Sequence, residues 1–109
     1  MGEKPMFQQD LSKTFGRVMG CSASELMGWL EAALPGALLT IHAEDDDGYC
    51  RARFEDGDLL IEWKVLASRQ IALLSIPQLQ VHFQYSSLTL ERRWEVQHYF
   101  DRATQRGGG

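Results

Sequence analysis

The stretch HAEDDDGY sets His42, Glu44, Asp45, Asp46 and Asp47 ahead of Gly48, one imidazole and four carboxylates within reach of a single hard cation. A calcium loop needs oxygen ligands at alternate positions around a glycine that makes the sharp turn. With Gly48 in the sixth position, Asp45 and Asp47 fall at the third and fifth, but Ala43 takes the first and Phe54 the twelfth. Two of the strongest ligand positions are therefore empty. Adjacent carboxylates repel one another, so the stretch reads as a solvated acidic turn, with Asp45 and Asp47 as weak metal candidates. A transition-metal site on His42 and His82 lacks a third ligand.

Cys21 is the weak candidate for a nucleophile, since it directly precedes a capped helix whose partial positive charge favours a thiolate. No histidine stands out as its base, and a residue just before a cap tends to pack inward. Cys50 reads as a small core residue. Two cysteines without CxxC spacing point to reduced thiols, and the start MGEKPMFQQD lacks the apolar stretch of a secretory signal, so a cytoplasmic address is expected. The longest apolar run, Ile71 to Leu74, is too short to span a bilayer, so no membrane partner is expected. There is no phosphate loop, nucleophile elbow or zinc helix, hence no catalytic signature and no implied cofactor.

The chain has 109 residues, 44% hydrophobic and 24% charged, with a net charge of -4, which suits one globular domain and disfavours nonspecific attraction to nucleic acid. Phe7, Leu11, Phe15 and Val18 have the spacing of one helical face and predict a first helix between Phe7 and Met19. Ser22 and Glu25 stand in capping-box relation at the start of a second, with Leu26, Trp29, Leu30 and Ala33 as its apolar stripe and Pro35-Gly36 as its stop. From Ala37 the period becomes two. Asp47-Gly48 and Asp56-Gly57 are each the preferred pair for a tight hairpin. Centred on them, the strands set Ala43 opposite Ala52, and Phe54, Ala52 and Cys50 opposite Leu59, Ile61 and Trp63 on one face. LQVHFQY alternates again, and RQIALLSIP is apolar enough for a short strand. Thr89 can cap a last helix with Val96, Phe100 and Ala103 on one face.

The expected fold is therefore α+β: two N-terminal helices, an antiparallel meander of four or five strands (about 37–44, 49–55, 58–66 and 79–85, with 70–75 as the optional one), and a C-terminal helix over about 90–104. The helices cover one face of the sheet. Residues 1–105 make the domain and 106–109 a disordered glycine tail. The ending Arg106-Gly107-Gly108-Gly109 is similar, over those residues alone, to the tails of ubiquitin-like and sulfur-carrier proteins, which resemble a β-grasp whose last strand runs into the tail; here a helix is expected to precede it.

Two surfaces follow from this outline. The polar side of the sheet carries a row of Glu44, Arg51 and Glu62 flanked by His42, Arg53, Tyr49 and Lys64, a mixed-charge face suited to a protein or a small polar ligand. The last helix gathers Arg92, Arg93, Trp94, His98, Tyr99, Arg102 and Arg106, residue types that anchor interfaces, although Glu91, Glu95 and Asp101 dilute their charge. A noncovalent interaction module binding a protein partner, with a homodimer as its simplest form, is the reading adopted. The alternative is a small-molecule binder or enzyme with a pocket between sheet and helices, lined by Trp29, Trp63 and Phe83 and entered near His82 or Cys21.

Overall fold

The computed structural model describes residues 13–105. The elements run β1 (Thr14–Met19), α1 (Ala23–Ala33), β2 (Leu38–Ala43), β3 (Asp47–Phe54), β4 (Gly57–Ile71), β5 (Leu74–Ser86) and α2 (Leu90–Gln105). All strand pairs are antiparallel and the sheet order is β1-β5-β4-β3-β2. The fold is α+β, as expected, but with one N-terminal helix among the described residues rather than two.

The first expected helix is corrected to a strand over Thr14–Met19, while Phe7 and Leu11 lie outside the described residues, as does the expected tail at 106–109. The helical spacing of Phe15 and Val18 misleads because the two end on opposite faces, Phe15 half-buried and Val18 exposed. Arg17 conceals the true period of two. It occupies an inward position between Phe15 and Met19, where its guanidinium lies 5.3 Å from the Phe83 ring centroid and binds Asp101 of α2 at 2.9 Å.

α1 forms as its sequence dictates. The Ser22 hydroxyl accepts from the Glu25 amide at 3.1 Å and the Glu25 carboxylate accepts from the Ser22 amide at 2.9 Å, so two amides without intrahelical partners are satisfied. Gly36, with φ of 84°, turns the chain into β2. At α2 the Thr89 hydroxyl accepts from the Arg92 amide at 3.1 Å.

The two hairpins are displaced from the positions their Asp-Gly pairs predict. Ala52 faces Leu59 rather than Ile61, Cys50 faces Ile61 rather than Trp63, and Ala43 faces Gly48 rather than Ala52. The turns are made by Asp45-Asp46 and Glu55-Asp56, and both glycines lie within strands. Neither glycine has positive φ; each makes room instead. A Cβ on Gly48 would stand 2.6 Å from Cζ2 of Trp63, and one on Gly57 would collide with the Ser86 carbonyl oxygen. Because the displacements are two and four residues, both even, every side chain keeps its expected face.

The inward face of the sheet, including Cys50, Ala52, Leu59, Ile61, Trp63, Val81 and Phe83, is buried with Leu26, Leu30 and Ala33 of α1 and Val96 and Phe100 of α2 in one core. Both helices therefore cover the same face and leave the other open. No fourth strand arises separately from residues 70–75: they form the tip of a long β4–β5 hairpin. Beyond Lys64, the last β4 residue paired with β3, and Leu79, the first β5 residue paired with β1, this hairpin continues as a two-stranded ribbon to Ile71 and Leu74, interrupted by an irregularity between Leu66 and Arg69. Among the described residues no helix is long and apolar enough to cross a membrane.

Candidate functional site

The open face carries a row that crosses four strands, His42–Tyr49–Glu62–His82, each opposite the next. This corrects the expected row of Glu44, Arg51 and Glu62. The Glu44 carboxylate instead meets the His42 imidazole, its Oε2 lying 3.1 Å from Nε2, and Arg51 lies opposite Thr40 and Leu60 with its guanidinium 3.8 Å from Asp58. Lys64 stands opposite Asp47 and Gln80, and Arg53 opposite Leu38 and Asp58. The rings of His42 and Tyr49 stack at 5.6 Å. Together with Glu62, Lys64, Gln80 and His82 they border a shallow concavity of about 500 Å³. His42 and His82 are held apart by β3 and β4, so they cannot share a metal ion. Among the described residues no group of three or more His, Cys, Asp or Glu side chains is placed to hold one, Asp45 and Asp47 included.

The helix cluster divides into engaged and presented side chains. Arg92 donates from Nε to Asp56 at 2.8 Å and from Nη1 to Glu95 at 2.8 Å, and covers the Phe54 ring at 5.1 Å. The hydrogen bond from Arg92 holds the Asp56 carboxyl below its ordinary pKa, and the same contact raises that of Arg92. Arg93 donates to the Leu88 carbonyl at 2.8 Å. These two arginines fasten α2 to the β3–β4 turn and to its own leading loop. Trp94 and Tyr99 are presented instead, 41% and 53% exposed, with the Trp94 indole stacked on His98 at 4.7 Å. Arg102 borders a surface hollow with His98 and Arg17.

Cys21 and Cys50 are both buried. Burial, joined by the Glu25 carboxylate, pushes the Cys21 thiol up to about 11, and burial alone does the same to Cys50. Desolvation thus outweighs the helix terminus at Cys21, which is left protonated and without access to solvent. The residues expected to line and open a pocket between sheet and helices are placed otherwise. Trp63 and Phe83 are packed in the core, Cys21 is covered, and His82 opens on the opposite face of the sheet from Phe83. A groove of about 310 Å³ occurs elsewhere, where Leu34 and Pro35 meet Phe54, Val96 and Tyr99.

The surface that sequence reasoning missed is the β4–β5 ribbon. Val65, Leu66, Ile71, Leu73 and Leu74 are exposed there, Leu73 fully. From 65 to 78 the one charged residue is Arg69. Its strands run far past the core on both sides of Ala72-Leu73, where Ala72 adopts φ of 54° and reverses the chain.

No family model, curated protein or solved structure matches the chain.

Proposed function

We propose that this protein acts by noncovalent association with a protein partner, and that the β4–β5 ribbon is the contact. The observation that carries this reading is the ribbon's composition set against its exposure. A two-stranded hairpin is marginally stable alone in water, and a contiguous exposed apolar patch marks an interaction surface. Here five large apolar side chains stand on such a hairpin with one charge among fourteen residues. A partner with an apolar surface would bury those side chains and brace the ribbon at the same time. Trp94 and Tyr99 of α2, both exposed, are of the residue types that anchor interfaces.

The test is capture of interacting protein by the wild type and by a Leu73→Ser, Leu74→Ser double variant. Both side chains are exposed, so the variant is expected to melt with the wild type and to lose the captured protein. Equal capture by the two chains rejects the ribbon as the contact, and no specific capture by the wild type rejects association with another protein. A second reading, a small-molecule site, is supported by the groove lined by Leu34, Phe54 and Val96. A ligand seated there would raise the melting temperature of the wild type but not that of a Val96→Trp variant that fills it.

A further inference from the structure

β2 is the outermost strand on the side of the sheet away from β1, and all of its residues except the half-buried Leu39 are exposed. Leu38, on the open face, is 76% exposed; Ile41, although it points to the helix side, is 43% exposed. Natural edge strands are blunted by lysine, proline, a bulge or a covering element. The segment LLTIHA has neither lysine nor proline, and its pairing with β3 is unbroken. The opposite edge differs, for β1 is clasped by α2 through Arg17 and Asp101.

The backbone of β2 dictates what can pair with it. The Glu44 amide donates to the Asp47 carbonyl at 2.8 Å. In an antiparallel ladder hydrogen-bonded pairs alternate, so His42 and Thr40 also turn their backbone groups toward β3. Leu39, Ile41 and Ala43 then turn theirs to the free edge. An added strand must offer outward groups at the same alternate spacing, and β2 itself does so.

We infer that β2 pairs antiparallel with β2 of a second copy about a two-fold axis at Thr40, joining two five-stranded sheets into one. In this register Leu39 lies opposite Ile41 of the second copy and the reverse, while Thr40 meets Thr40. Apolar and Thr–Thr cross-strand pairs both stabilise a sheet. Leu38 lies opposite His42, Ala43 opposite Ala37, and each acidic turn meets the Pro35-Gly36 bend rather than its own duplicate. An axis at Ile41 would set Leu38 against the Glu44 carboxylate. The sequence around β2 is therefore complementary to itself with the axis at Thr40, and the isologous contact closes as a dimer. This contact is separate from the ribbon and stands without it.

Sedimentation equilibrium from about 1 µM to about 1 mM, the range in which a small interface reveals itself, is expected to show a monomer–dimer equilibrium. Ile41→Lys sets a charge on the edge and is expected to leave a folded monomer by circular dichroism, whereas the Leu73→Ser, Leu74→Ser variant dimerises as the wild type does. If Ile41→Lys unfolds the chain, oxidation decides. Thr40 pairs face to face in a non-hydrogen-bonded site about 4.5 Å apart at Cα, so Thr40→Cys is expected to form a covalent dimer under mild oxidation and Leu38→Cys to form far less. A wild type that stays monomeric throughout, a folded Ile41→Lys chain that still dimerises, or equal cross-linking at 38 and 40 overturns the proposal.

Discussion

Tyr85 of β5 donates its phenolic hydrogen bond to Oε1 of Gln97 on α2 at 2.6 Å, and both residues are buried. Gln97 passes its own donor to Oδ1 of Asp101 at 2.9 Å, and the same oxygen accepts from Nη1 of Arg17 at 2.9 Å. The chain of contacts ties β5, α2 and β1 together across the sheet's first two strands. Among the described residues no buried side-chain nitrogen or oxygen is left without a partner.

Breaking either end of the Tyr85–Gln97 bond strands a buried polar atom, which costs about 1–3 kcal/mol. Tyr85→Phe and Gln97→Leu are each expected to lose that much in urea unfolding. Together they are expected to lose about 1 kcal/mol less than the sum of the two, because the double variant leaves no bare partner. Additive losses would show that the two groups do not act as a pair.

Gly48→Ala and Gly28→Ala should move stability in opposite directions. At Gly48 the new methyl meets the Trp63 indole at 2.6 Å and the His42 carbonyl oxygen at 2.7 Å, and such overpacking costs about 1–3 kcal/mol. The Trp63 fluorescence maximum should shift with it. At Gly28, inside α1, nothing lies within 4 Å, and the helix gains about 0.5–1 kcal/mol. Thermal melts of the two variants compare them directly.

The buried thiols give the fold an alkaline weakness. Folding raises Cys21 and Cys50 from 9.0 to about 11, so the native state holds protons that the unfolded chain releases. Their contribution is complete below 9 and is lost as pH rises from there toward 11. A Cys21→Ala, Cys50→Ala variant should therefore show a flatter decline of stability across that interval than the wild type. At pH 8 both thiols should react with a disulfide reagent far more slowly in the folded wild type than in urea.

Much of this architecture could be read from the residues because its signals were local. The Ser22–Glu25 box, the Thr89 cap and the alternation through β3 and β4 each act within a few positions. Asp47-Gly48 and Asp56-Gly57 misled about the turns because those glycines answer a requirement from across the sheet, room for Trp63 and for the Ser86 backbone. Arg17 and Gln97 likewise look out of place on inward faces until Asp101 and Tyr85 are brought to them. The ribbon stayed hidden for a related reason: its strands depart from the core pattern, as none of the described residues covers their exposed apolar side chains.

β1 imposes an order of events on folding. Met19 and Leu79, the closest of its partners along the chain, are sixty positions apart. The meander from β2 to β5 can zip through short loops, whereas docking β1 requires closing a large loop, an entropic cost that slows non-local pairing. During synthesis Phe15, Arg17 and Met19 must wait for the whole of β5 to emerge. A chaperone that shields nascent strands would find its longest opportunity on this one.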